Sequence, residues 1–140
     1  MTNIPFGNPG QAGSSTEAFT QHDLLLSDVP NLFTEDMVLA ASQDIALYEV
    51  VGLDGSGNIV PAVEAGAPSP VSAIGISAGA ITSGAGENPT IQIIRGGHFN
   101  GDALVWDASY DTDAKMIAAF RGAPSPTQIV VGFNKYHRKA

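Results

Sequence analysis

Glycine and proline recur along the whole chain, sixteen and nine times in 140 residues, and no long regular element survives such punctuation. Glycine loses more freedom than any other residue when it is ordered, and proline fixes φ and withdraws a backbone donor. The chain must therefore build from short pieces, and its β-branched runs make those pieces strands bounded by turns. The expected fold is mainly β with a minor α component, in one domain, because the length leaves no room for two independent cores.

Strands are expected at 45–51, 58–63, 71–81, 90–95 and 127–133. Asp54-Gly55-Ser56-Gly57-Asn58 reads as a hairpin turn, since Gly and Asn tolerate positive φ, and 82–89 as a longer turn. Residues 34–42 are ambiguous between a helical turn and a strand. One short helix is expected over 111–120: Asp111 and Asp113 suit its first turn, Met116, Ile117 and Phe120 form an apolar stripe, and Gly122 and Pro124 stop it. The string GAPSP stands at 66–70 and again at 122–126, each time ahead of a β-branched run, and reads as a device that fixes the approach to a strand.

The two ends differ from this body. Residues 1–23 contain Pro5, Gly7, Pro9, Gly10 and Gly13, with Ile4, Phe6 and Phe19 as their large apolar side chains, too few for a core. They read as an extended N-terminal arm, with residues 24–133 as the β-rich domain. Residues 134–140 form a basic tail holding Lys135, Arg138 and Lys139, three of the six cations in the chain. That tail is either a solvated end or a docking strip for an acidic partner.

Only 14% of residues are charged, with a net charge of −8. A body so poor in charge is consistent with a surface covered by partners, a homotrimer among them, or with a monomer kept soluble by its net charge. The acidic balance argues against nucleic acid and anionic membranes, both of which need a basic face. Residues 1–13 lack the cationic start and apolar run of a signal peptide, and no stretch reaches the ~20 apolar residues of a membrane-spanning helix. The expectation is a protein made in a cytoplasm. The chain has no cysteine, which removes disulfides, thiolate nucleophiles and cysteine-ligated metals.

No reactive constellation emerges. Gly75-Ile76-Ser77-Ala78-Gly79 matches G-x-S-x-G, but no helical pattern follows Ser77, as a nucleophile elbow requires; a small residue on a close-packed strand is the better reading. Asp54, Ser56 and Asn58 have the first spacings of a calcium loop, yet Ile59 and Ala65 occupy the positions of its glycine and its bidentate acid. His22, His98 and His137 have no ligand spacing. Asn88-Pro89-Thr90 is a sequon blocked by proline. The pairs Asp111 with Asp113 and Asp102 with Asp107 are better explained as a helix cap and loop charges than as acid and base. No catalytic residue, metal or cofactor is expected.

The stretch 95–131 (RGGHFNGDALVWDASYDTDAKMIAAFRGAPSPTQIVV) resembles the C-terminal half of the head decoration proteins of tailed bacteriophages. The shared features are Arg95-Gly96 followed by Phe99, the run Leu104-Val105-Trp106, an acidic-start helix bearing Lys115, Ala119-Phe120, a small-residue link and a β-branched strand. Upstream, Asp23-Leu24-Leu25 to Val29-Pro30, Leu53-Asp54-Gly55 to Val60-Pro61, and Ala73-Ile74-Gly75-Ile76 are similar in order and spacing. The GAPSP prolines and the basic tail depart from the pattern.

The resemblance implies a compact β-clip-like fold and a non-enzymatic structural role: a capsid decoration, or cementing, protein on the outer surface of the virion. It further implies homotrimers at three-fold and quasi-three-fold positions of the expanded head, with the arm reaching onto the major capsid protein of the same phage. On that reading Ile4, Phe6, Phe19, Leu24 and Leu25 bind the capsid, and Phe99, Leu104, Trp106 and Phe120 lie in the core or the trimer interface. The alternatives are a sugar- or receptor-binding β module of a virion surface, for which Tyr110, Asp111 and Asp113 form the available cluster, and a small hydrolase built on Ser77.

Overall fold

The computed structural model describes residues 24–66, 69–121 and 128–133. Among the described residues nine strands form two sheets: β1 Leu25–Ser27, β2 Phe33–Val38, β3 Asp44–Ile45, β4 Val50–Leu53, β5 Ile59–Pro61, β6 Ala73–Ser77, β7 Ile81–Thr82, β8 Thr90–Asn100 and β9 Gln128–Gly132. A 3-10 turn, Gly101–Ala103, follows β8, and the helix α1 spans Asp113–Ala118. The larger sheet runs β1-β8-β6-β4-β5, with β2 and β9 also paired to β8; β3 and β7 form a separate ribbon. The mainly β class with one short helix is what the sequence predicts.

Strand β8 organises the sheet. Its first half pairs antiparallel with β2 and, at Ile93 and Ile94, with β6; its second half pairs antiparallel with β1 and parallel with β9. Residues of a regular strand alternate between faces. Ile94 and Phe99, five apart, nevertheless enter the same core. The alternation is reset between them, where the β2 register skips Arg95 and where Gly97 takes φ 141°. Such a bulge re-aims the side chains beyond it, and glycine supplies a conformation that an L side chain rarely adopts.

Two apolar clusters result. The first contains Val50, Ile76, Ile94, Phe99, Leu104, Tyr110, Phe120, Ile129 and Val131. The second contains Leu39, Ile45, Val51, Ile59, Ile74, Ile91 and Ile93. Adjacent positions on β4, β6 and β8 feed opposite faces, so these central strands are covered on both sides and read as continuous apolar runs. Helix α1 is capped by Thr112, whose Oγ1 accepts from Lys115 N, and Met116 packs on the first cluster.

Several boundaries differ from the sequence reading. The expected strand 45–51 is two strands, because the chain turns at 46–49 with Tyr48 at φ 62°. The expected strand 71–81 is also two: Ser77 Oγ donates to Gly79 O and ends β6 in a local turn before β7. The ambiguous 34–42 contains β2, and the strand expected at 90–95 continues to Asn100. Helix α1 is shorter than 111–120 at both ends. The hairpin at 54–58 has the expected form, with Asp54 Oδ1 accepting from Ser56 N and Asn58 N and Gly57 at φ 83°. Residues 67–68 and the whole second GAPSP copy lie outside the described residues.

Gly75 shows how tightly the strands approach. A Cβ there would overlap the Ile93 Cγ2 methyl and lie 3.0 Å from the Ile94 carbonyl oxygen. Gly75→Ala is therefore expected to destabilise the fold by about 1–3 kcal/mol through overpacking, seen as a lower urea midpoint at unchanged m-value. A midpoint equal to that of the parent would mean that the β6–β8 contact is looser than this.

Candidate functional site

Among the described residues, the candidate nucleophile Ser77 is occupied structurally. Ser77 is fully buried; its hydroxyl donates to Gly79 O at 2.5 Å, its N–H donates to Glu49 O and its carbonyl accepts from Tyr48 N. It is a strand-end residue with no open path to a substrate. Among the described residues no group of three or more His, Cys, Asp or Glu side chains is placed to hold a metal ion. No helix of the described residues is long and apolar enough to cross a membrane.

Tyr110 does not project from a loop tip. It is 4% exposed in the first cluster, and burial, with Glu64 and Asp107 nearby, pushes its phenol up to about 12. Asp111 pairs with Lys115 at 2.8 Å, which holds its carboxyl below the usual range. Asp107 is likewise lowered by the Ser109 hydroxyl and N–H. The Tyr110, Asp111 and Asp113 cluster thus lacks the exposed aromatic platform on which a sugar-binding reading depends.

Phe99, Leu104 and Phe120 are buried within a single copy of the chain, Phe99 completely. Trp106 lies at the rim of the same cluster. Its Nε1 donates to Gly101 O at 2.9 Å, and its ring is 5.0 Å from that of Tyr110 in a tilted arrangement. These side chains support the surfaces around them. The Gly101 turn that Trp106 grips is held by Asn100, whose side chain accepts from Asp102 N.

The surface carries a more informative pattern. Leu24 packs on the first cluster and its carbonyl accepts from Asn100 N, whereas Leu25 is 40% exposed. Ile4, Phe6 and Phe19 lie outside the described residues. Val29, Leu32, Phe33 and Val130 are also exposed, and sequence reasoning missed all four. Val29 and Leu32 flank a turn marked by Pro30 and Asn31, and Val130 alternates with the buried Ile129 and Val131. That alternation was the available signal.

Against known families, the model for bacteriophage lambda head decoration protein D matches residues 14–125. The chain belongs to the phage head decoration protein family. The match takes in β1 to β8, the 3-10 turn and α1, and ends before β9. No curated protein matches the chain. Membership gives it a structural, capsid-decorating role, and a decoration protein needs surfaces to bury, which accords with side-chain chemistry directed inward at Ser77, Trp106 and Tyr110.

One partly buried acid gives a measurable signature. Burial raises the Glu49 carboxyl above its usual range; the Ala46 N–H, donating to Oε1 at 2.8 Å, opposes this, and Asp44 and Asp107 add to the rise. The folded state therefore holds this proton more tightly than the unfolded chain. The favourable contribution is complete below the unfolded carboxyl range and is lost as pH rises through the raised value. Glu49→Gln keeps an oxygen for Ala46 and removes the charge, so its melting temperature should exceed that of the parent at pH 7, with the gain shrinking toward pH 4. An equal gain at both pH values would show that the charge is not responsible.

Proposed function

We propose that the chain cements the expanded phage head from its outer surface, as homotrimers seated at three-fold and quasi-three-fold positions on the major capsid protein. The family match over residues 14–125 carries this reading. A charge-poor composition supports it. The physical role is linkage: a protein that binds the assembled shell, and not its separated subunits, adds its binding free energy to the cost of pulling the shell apart. A closed ring satisfies each copy's contacts with finite stoichiometry, so that decoration does not propagate into fibres.

Residues 1–23 serve as an anchor in this reading. Adding a strand to an exposed edge of the shell would supply affinity through backbone hydrogen bonds, with Ile4, Phe6 and Phe19 filling alternate pockets. Fixing each backbone residue costs about 1–2 kcal/mol, so the arm must gain that pairing to be held. Leu24 and Leu25 join the arm to the sheet.

Co-sedimentation with expanded, decoration-free shells of the same phage tests the role directly: the chain should pellet with shells and raise their melting temperature. Deleting residues 1–23 should leave the circular dichroism spectrum and oligomer size intact while weakening shell binding at least tenfold. A truncated chain that binds as tightly as the parent would remove the arm as anchor, and one copy bound per site, without three-fold clusters, would remove the trimer.

Ser77→Ala should leave shell binding unchanged and lower stability by about 0.5–1.5 kcal/mol, the net worth of one hydrogen bond. An esterase activity present in the parent and lost in this variant would revive the hydrolase reading.

A further inference from the structure

Strand β2 borders the sheet on one side, and nothing in its sequence blunts that border. Ile93 and Ile94 of β8 pair with β6 on one flank and with β2 on the other, so the second edge of β2 is unpaired among the described residues. The ladder decides which groups this edge presents. Leu39 N donates to Pro89 O between β2 and β8, whereas Gln92 O, opposite Asp36, accepts from Ala78 N on the β6 side. Pairs that exchange hydrogen bonds alternate with pairs that do not, so the N–H and C=O groups of Thr34, Asp36 and Val38 point away from β8. Five of the six residues of β2 are exposed, and none is proline or lysine. By contrast β5, at the other end of the sheet, is three residues long and closes on Pro61. An edge as long and open as that of β2 is a template for another strand.

Charge selects the strand that fits. β2 carries Glu35 toward one face and Asp36 toward the other, which opposes pairing with a second β2. Residues 1–23 hold Glu17 and Asp23 and no Lys or Arg. Residues 134–140 hold three of the six cations. Extended, they would put Lys135 and Lys139 toward one face and Arg138 toward the other, a cation for the acid on each side. Reach decides which copy supplies them. Gly96 pairs with both Phe33 and Gln128, so β9 lies on the flank of β8 opposite β2. β9 ends level with Asn100, and the Phe133 ring lies against Gly101, beyond the end of β8. The near end of the free edge, level with Ile94, is six residues back along β8 and three strand spacings across. That is roughly 24 Å, at about 3.3 Å per residue and 4.8 Å per strand. Seven extended residues span about 25 Å, which leaves none of them to pair along β2 of their own chain.

We infer that the free edge of β2 receives residues 134–140 of a neighbouring copy of the chain as an added strand, with Arg138 on the same face as Asp36. Backbone groups of Thr34, Asp36 and Val38 supply the hydrogen bonds, and the opposed charges set the partner. The inference rests on the proposed trimer only in requiring a neighbouring copy. It gives the basic tail a role between copies, separate from any contact with the shell.

Two measurements on the full chain test this. Residue-resolved hydrogen exchange should find the Thr34, Asp36 and Val38 amides at least tenfold slower than in a chain lacking residues 134–140, while Glu35 and Met37, which bond to β8, exchange alike in both. Because the chain has no cysteine, a chain carrying Asp36→Cys can be mixed with one carrying Arg138→Cys in a glutathione buffer. The mixed disulfide should exceed by at least tenfold that formed when Ser56→Cys, in the hairpin at the opposite edge of the sheet, replaces Asp36→Cys. Edge amides whose protection survives loss of residues 134–140, or vanishes with loss of residues 1–23, overturn the inference, as does a disulfide yield equal to that of the Ser56 control. Sedimentation separates the two readings: a trimer with fast edge amides removes this contact alone, and a monomer removes the trimer as well.

Discussion

The bulge in β8 is the constraint on which the remaining architecture depends. A strand with strict alternation would send Ile94 and Phe99 to opposite faces, and the first cluster would lose one of them. Skipping Arg95 in the β2 register and admitting φ 141° at Gly97 allows one strand to serve both cores and four partner strands. The same bulge separates the partners in space: β2 and β6 before it, β9 and β1 after it. Arg95, the skipped residue, is paired with Glu35 of β2 at 2.8 Å. This pair is half-exposed on the Glu35 side, so its contribution is positional more than energetic.

Glycine at points of close approach follows from that crowding. Strands covered on both faces leave no slack between neighbours, and Gly52 and Gly75 stand where a side chain would strike the Ser72 carbonyl and the Ile93 side chain. The G-x-S-x-G string is thereby explained without chemistry: its first glycine is a packing requirement, and its serine closes the turn that ends β6. Composition that seemed to denote only interruption is, at these positions, what permits the strands to pack this closely.

Legibility in the sequence followed the range over which each signal acts. The Asp54 hairpin and the Thr112-capped helix are local events, written in adjacent residues, and both were readable. The turn at 46–49 was not, since Ala46, Leu47 and Tyr48 carry no turn chemistry; it exists because Tyr48 N and O bond to Ser77 O and Val105 N, partners distant in the chain. The extension of β8 through Gly96 and Gly97 was concealed by residues that ordinarily end strands. Phe99, Leu104, Trp106 and Phe120 were legible as large apolar anchors, but only the folded chain distinguishes the fully buried Phe99 from Trp106 at the rim. The exposed side chains near β1 and β9 were illegible for a related reason: Val29, Leu32 and Phe33 lie far from Val130 in the chain, and alternation in β9 alone does not reveal what lies beside it.

The point where β1 begins has a mechanical consequence if residues 1–23 anchor the chain to the shell, as proposed above. A load applied through the arm enters at Leu24, whose carbonyl is bonded to Asn100 at the end of β8, the strand with the most partners in the sheet. From there it is shared by β1 and β9 through ladders on both flanks and by Phe99, fully buried among the first cluster. An anchor rooted on the β3–β7 ribbon, two residues to a side, would peel away at far lower cost, because local opening is easiest where few backbone bonds and little apolar burial must be given up. On that proposal the strand with the most partners among the described residues stands directly behind the point where attachment would pull.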